Sequence, residues 1–452
     1  MADSVENSVP ALAVTAAVGA VVLLLILLCS VGRRADKKDE DQDEQKNESE
    51  EKKKSDRSEK PTRKTKVNQR HKRVQHVPFT HSWLATILKG HSSPVLGFDF
   101  SPNGKYLIST AEDRSVMLWS TKEFGKKDHK FIRGNIELDH GTRVKYSPDS
   151  KAFLVCLSNE NTVRILRIGK KDDGSPGNIT AALDFPKKHS AEIIQIGVAS
   201  NGKFIMTCSR DTTLIVWSIK GEVYSTIDTH QMNNVYGAVS PCGRFVASSG
   251  FTPDVKVWEV LFDKGGGFQD VKRAFELKGH TAGVNCFSFN SDSSRMVSVS
   301  KDGTWKFWDT NIRYELSQDP YLLTTGSIHC SNPSIITLSP DGRSVAIGGD
   351  NSIGVYNAAS GAEEEVLKHI HDGDLTELSF DLSNKYLISS GDKHIIVLHN
   401  ITGFRATITE LENTEKKATT QAQKERIRQQ ISDARSSLES ILGTANGHAE
   451  VK

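Results

Sequence analysis

Six times in this chain of 452 residues a histidine stands ten positions ahead of a polar turn. The pairs are His91 and Ser101, His189 and Ala199, His230 and Ser240, His280 and Asn290, His329 and Ser339, and His371 and Asp381. A seventh segment keeps the interval, with Glu137 in the histidine slot ahead of Ser147. About eleven or twelve residues after the turn comes an Asp, and six residues later a large apolar or aromatic residue: Asp113 to Trp119, Asp211 to Trp217, Asp302 to Trp308, Asp350 to Tyr356 and Asp392 to Leu398. The second segment has Asn159 and Ile165 at these places. The fourth is irregular, with Asp254 only four residues before Trp258. Between the markers the residues alternate as half-buried strands do, as in VLGFDF, KYLIST and SVMLWS or GVNCFSF, RMVSVS and TWKFWD. Short strands and turns at a period of ~45 residues predict a propeller.

The aromatic residues fix where that body begins and ends. All 32 (18 Phe, 8 Tyr, 6 Trp) lie between Phe79 and Phe404. A packed core needs large apolar side chains, so one folded body spans 79–404 with non-globular flanks. Six cysteines lie tens of residues apart with no Cys-x-x-Cys pair, which excludes a zinc ribbon or a thioredoxin-type motif and gives no sign of a disulfide framework. The segment 84–88 precedes any inner strand, and nothing after His399 supplies an outer strand for the last repeat. The two ends should therefore pair, leaving no open sheet edge.

The stretches LKGHSSPV…AEDRSVMLWS, LKGHTAGV…SKDGTWKFWD and SRDTTLIVWS resemble the WD40 repeat family, in the lineage of the transducin beta-like proteins. The resemblance covers about 84–400 and implies an all-β, seven-bladed propeller. It also implies a non-catalytic platform that binds proteins on the face carrying the turn after each second strand. The residues flanking the turn Asp belong to that face: Glu112, Arg114, Arg210 and Lys301, with Phe251 in the irregular fourth turn. Three of the four charges are basic, which favours an acidic or phosphorylated partner.

The repeat has a physical logic of its own. A buried Asp in a tight turn is costly unless hydrogen-bonded. In three segments a hydroxyl lies four residues before it, giving the sets His91, Ser109, Asp113 and Trp119; His189, Thr207, Asp211 and Trp217; and His280, Ser298, Asp302 and Trp308. The His is expected to donate to the carboxylate, the hydroxyl to accept from the His, and the indole to close the chain. A His beside an Asp and a Ser suggests a catalytic triad, but recurrence at fixed spacing argues for structure. The run His369-Ile-His371-Asp-Gly-Asp374 looks metal-like, yet His371 fills the repeat slot. There is no phosphate loop, no Gly-x-Gly-x-x-Gly after a strand and no His-Glu-x-x-His, so no cofactor is expected.

The flanks carry different information. Residues 11–31 are 21 residues without a charge, a helix of ~31 Å that would cross a bilayer core. The start is acidic and the run long, unlike a cleaved signal peptide. Arg33, Arg34, Lys37 and Lys38 follow the span and no Lys or Arg precedes it, so residues 1–10 should face the lumen and the propeller the cytosol. Cys29 at the cytosolic edge is either a lipid-facing thiol or a palmitoylation site. Residues 32–78 read as a disordered charged tether. Its basic half holds Lys52, Lys53, Lys54, Arg57, Lys60, Arg63, Lys64, Lys66, Arg70, Lys72 and Arg73 against two acids. That run either binds RNA, ribosomes or anionic lipid, or is a solvated spacer. Over 405–443, Ile427, Ile431, Ala434, Leu438 and Ile441 form the seam of an amphipathic helix, to pack on the propeller rim or pair with another chain; residues 444–452 read as a disordered tail. The expected whole is a single-pass protein of the endoplasmic reticulum membrane. It would present a cytosolic scaffold to membrane-associated partners, with stress signalling the first role to look for by position. A factor that associates with RNA or ribosomes through 52–73 is the alternative.

Overall fold

The computed structural model describes residues 79–446 apart from Lys127 and Ser331. The span 11–31, the tether with its basic run 52–73, and the tail beyond 446 lie outside the described residues. Among the described residues no helix is long and apolar enough to cross a membrane.

Among the described residues twenty-eight strands form seven four-stranded antiparallel sheets. Six blades take four consecutive strands each, beginning at Val95, Gly141, Ile193, Asn234, Val284 and Pro333. The middle strands are buried on both faces because each blade is sandwiched between two others, and they accordingly read as near-continuous apolar runs such as Ile205–Ser209 and Thr213–Trp217. The outermost strands alternate with solvent, as in Val223–Asp228. The core is correspondingly divided: seven buried clusters occur, one between each pair of neighbouring blades.

The seventh blade takes three strands from the end of the body (Glu377–Phe380, Tyr386–Ser390 and His394–His399) and its outer strand from the start, Leu84–Lys89. That strand runs antiparallel to His394–His399, with Leu84 opposite Leu398 and Lys89 opposite His394. The His399 N–H donates to the Trp83 carbonyl at 2.7 Å, and Trp83 is itself buried. Pairing of the two ends closes the ring, as the strand arithmetic anticipated.

In place of one helix over 405–443 there is a pair, α1 (Ile401–Lys417) and α2 (Gln421–Asn446). The first begins directly after the last strand, because Asn400 caps it by accepting from the Gly403 N–H at 2.9 Å. Ala418 adopts an extended backbone and breaks the run. Arg428 reaches Glu415 and Arg435 reaches Glu412, so the two helices lie antiparallel. The seam residues are spent inside the chain. Ile431 is buried, while Leu438, Ile441 and Leu442 pack with Phe79, Leu84 and Ile87 on the cluster between blades 6 and 7. The seam thus docks on the rim of the propeller, at the closure.

Candidate protein-interaction face

Three blades carry the same buried network. In blade 1 the His91 Nδ1 lies 3.2 Å from Asp113 Oδ2, His91 Nε2 lies 2.8 Å from Ser109 Oγ, and the Trp119 indole N–H donates to Ser109 Oγ at 2.9 Å. Blade 3 repeats this with His189, Asp211, Thr207 and Trp217 at 3.1, 2.7 and 2.8 Å. Blade 5 does so with His280, Asp302, Ser298 and Trp308 at 2.9 Å for each of the three. Burial holds all three imidazoles below their ordinary proton affinity despite the facing carboxylates, so each is neutral. A neutral ring that gives Nδ1–H to the carboxylate has only a lone pair at Nε2. The hydroxyl therefore donates to the His, which reverses the direction expected from sequence. Ser109, Thr207 and Ser298 are fully buried and committed on both sides, so none is placed to attack a substrate.

The other four blades vary the theme. In blade 2 the work passes from Glu137 to the buried Asp139, whose carboxylate accepts from the Asn159 and Glu160 N–H groups. In blade 4 His230 turns outward to Asp228 and Gln231 takes the interior, its Nε2 donating to the Ser248 carbonyl at 2.9 Å. In blade 6 the His329 N–H donates to the Tyr356 hydroxyl. Blade 7 keeps His371 against Ser389 at 2.9 Å and near Asp392 at 3.4 Å, with apolar Leu398 where the indole would be.

These networks lock the loop before each blade to the turn after its second strand, all at one end of the ring. Glu112 and Arg114 are exposed there on blade 1, Arg210 on blade 3, Phe251 on blade 4 and Lys301 on blade 5. Arg210 is paired with Glu192 at 2.9 Å. The structure brings Arg210, Phe251 and Lys301 onto three successive blades, and leaves Glu112 and Arg114 apart on the first.

Position six after each histidine slot is where the innermost strands face the axis, and the ruler used on the sequence picks it out: Gly97, Arg143, Gln195, Tyr236, Cys286, Ile335 and Glu377. A cavity of about 460 Å3 opens there, lined by Arg143, Gln195, Tyr236 and Glu377 among others. With no side chain on Gly97, Arg143 reaches across blade 1 and donates from Nη1 to the Leu96 carbonyl at 2.6 Å; its Nε donates to Ile194 on the other side at 3.1 Å. One layer deeper Lys145 and Asp99 pair at 2.9 Å. The charges lie on blades 7, 1 and 2, and Tyr236, Cys286 and Ile335 face them. The axis is thus an open cavity with its charges grouped on one side, where Arg143 and the Lys145–Asp99 pair are held within the chain.

The family model for "WD domain, G-beta repeat" matches residues 81–120, 183–218 and 271–309, the three segments that carry the complete networks. The chain is 49% identical to transducin beta-like protein 2 of Homo sapiens over 82% of this chain and 84% of that one. It is 47% identical to transducin beta-like protein 2 of Mus musculus over 84% and 87%. The chain belongs to the transducin beta-like family of WD40 propellers. Apoptotic protease-activating factor 1 of Rattus norvegicus is 24% identical over 67% of this chain but only 26% of its own length.

The WD40 network of this transducin beta-like chain makes its stability pH-dependent. Burial would raise the Asp211 and Asp302 carboxyls, but the Thr213 and Thr304 hydroxyls and the Ser190 and Thr281 N–H groups hold both at about 2. All these shifts are downward, so the stabilisation is complete above the ordinary values and is lost as pH falls. Below the ordinary His value of 6.5 the unfolded chain binds protons that the folded chain refuses. Below the ordinary Asp value of 3.8 the carboxylates add a second loss, running down to about 2. Melting followed by circular dichroism should fall steadily from about pH 7.5 to about pH 5.5. A flat profile would mean that the imidazoles take up protons as readily in the folded chain as in the unfolded one.

Proposed function

We propose that the chain is a membrane-anchored, non-catalytic scaffold whose cytosolic propeller gathers proteins at the endoplasmic reticulum, with stress signalling as its setting. The observation that carries the interaction role is the family's fold with one end built from rigidly locked loops that leave Arg210, Phe251 and Lys301 exposed. Recurrence of the His-Ser-Asp set in three blades, sealed from solvent, supports a structural rather than a catalytic use. The uncharged span 11–31 followed by Arg33, Arg34, Lys37 and Lys38 supports the anchor and its orientation. A coil of 41 residues would span ~35 Å, so a propeller tied to a membrane through 33–73 would be confined to a thin layer where weak affinities suffice.

Protease added to intact microsomes should digest the propeller. Asn178 sits on an exposed outer strand and heads an Asn-Ile-Thr sequon, so it would report a lumenal propeller by taking a glycan; Asn400 is buried as a helix cap and would not. Endoglycosidase should leave the protein unshifted, and a protected, glycosylated propeller would overturn the topology. Proximity labelling should return membrane neighbours from the intact chain and lose them when residues 1–32 are deleted. An unrelated anchor of the same orientation should restore them. Association with RNA or ribosomes through 52–73 predicts a binding that falls steeply with salt and vanishes when those Lys and Arg are neutralised, whereas docking on the propeller survives both.

A further inference from the structure

The irregular fourth blade presents a pair of apolar side chains that nothing in the fold requires to be outside. Met232 is 75% exposed and Phe251 61%. They are neighbours, because the Phe251 N–H lies 3.3 Å from the Gln231 carbonyl and 3.2 Å from the Asn233 carbonyl, either side of Met232. Val235 continues the patch to the mouth of the axial cavity. The loop is held in an unusual shape. His230 and Met232 both have left-handed backbones, at φ 50° and 61°, which a methionine rarely adopts. The surroundings impose it. Gln231 is wholly buried, Asn234 donates to the Ser209 carbonyl at 2.9 Å and accepts from the Thr229 hydroxyl at 2.6 Å, and Lys256 donates from beneath to the Thr229 and His230 carbonyls at 3.0 Å each. A strained residue over-determined by its neighbours, with its side chain in solvent, is a mark of function rather than of packing.

Basic groups flank the patch through a continuous run of contacts. On one side Asn234 touches Ser209, the residue before Arg210. On the other, Gly283 lies so close to the Phe251 backbone that a Cβ would meet its carbonyl at 3.0 Å, and the Gly283 carbonyl accepts from the Lys301 N–H, also at 3.0 Å. Lys187 and Lys188 stand exposed on the loop before blade 3. The acids nearby are engaged: Glu192 with Arg210, Asp228 with His230, and Asp211 and Asp302 within their networks. Asp254 is the exception, with its Oδ1 buried and without a hydrogen-bond partner, and so turned away from the solvent face. Among the described residues Lys187, Lys188 and Lys301 carry no ion pair, and an exposed pair such as Arg210–Glu192 exchanges partners at little cost.

We propose that the blade-4 end of this face docks an acidic peptide segment of a partner protein through an apolar anchor, with Met232, Phe251 and Val235 receiving the anchor and Arg210 and Lys301 receiving the carboxylates beside it. Rigid apolar contact at the centre with charges at the edge is the arrangement in which a few residues carry most of the affinity. This rests on the scaffold reading above and names the chemistry of its partner.

The test is fluorescence anisotropy on the full chain in detergent micelles, with short labelled peptides of Asp and Glu around a central Phe-Leu pair. Met232→Asn and Phe251→Ser should each weaken binding by at least about tenfold. Lys301→Glu should weaken it and flatten its salt dependence. Met232→Asn is the informative variant, because Asn accepts a left-handed backbone; its melting temperature should hold or rise while binding is lost. Equal binding of a Lys/Arg peptide, equal binding of an acidic peptide without the Phe-Leu pair, or no binding at all would overturn the proposal. A second copy as occupant would show as self-association lost in the same variants. The chain's own acidic run, eight Asp/Glu against Lys46 in 39–51, would show as an affinity that rises when its carboxylates are neutralised. Either of those results also overturns an external partner. Absence of peptide binding with anchor-dependent neighbours still found by labelling would remove this patch and leave the scaffold standing.

Discussion

Trp308→Ala should destabilise the protein by about 3–5 kcal/mol, read as a fall in the denaturation midpoint. The side chain is 2% exposed and fills the cluster between blades 4 and 5 beside Phe245, Val257, Phe287 and Met296. Truncation leaves a cavity where the neighbouring strands are too constrained to collapse. It also removes the donor that faces Ser298 Oγ at 2.9 Å, so part of the blade 5 network is left unsatisfied. Arg210→Ala supplies the comparison. Its pair with Glu192 is exposed on both sides, and stability should stay within about 0.5 kcal/mol. If the two melts came out reversed, the network would not be what holds the blades.

Leu88→Asp should be as damaging or worse, about 4–5 kcal/mol, and should act on the closure rather than on one blade. Leu88 is 1% exposed and lies in the cluster between blades 7 and 1, against residues such as Val95, Trp119, Ile388 and Val397. A carboxylate there has no partner, and the cheapest relief is release of the entry strand from His394–His399. Limited proteolysis should then cut first within the released entry strand, residues 84–90, while Lys89→Ala, at the exposed end of the same strand, should leave the pattern unchanged. Cutting inside blades 3 or 4 instead would show that the ring does not depend on this clasp.

The propeller was legible because its signals are periodic and redundant. Ten residues from His to turn and six from Asp to Trp recur often enough that the irregular segments can be placed by ruler. The closing strand followed from counting strands against blades. What escaped were decisions made in space. Nothing in the spacing says that Asp139 rather than Glu137 holds the second blade together, or that Gln231 goes inside and His230 outside, because each choice depends on which neighbour offers a partner. The direction of the hydroxyl–imidazole bond needed the burial that keeps the ring neutral. The break at Ala418 left no strong mark, since neither Gly nor Pro is there and the apolar seam runs through it. Of the face residues, Phe251 was visible as an oddity of the fourth turn. Met232 was not, because a single methionine in a polar loop signals nothing until its backbone and exposure are known.

The clasp also sets a timetable for the chain's making. Leu84–Lys89 leaves the ribosome before any blade exists, and its partner His394–His399 comes more than three hundred residues later. Blades 1 to 6 are built from contiguous chain and have all their own strands once synthesised, but each nascent intermediate leaves the entry strand unpaired and a blade face uncovered at each end of the open arc. Closing so long a loop is slow to nucleate, and its contacts reward folding only at the end. Chains stalled or truncated anywhere before residue 399 should therefore collect chaperones rather than settle into smaller rings. Those that run on through both C-terminal helices, which pack on the closure, should mature once these clear the exit tunnel.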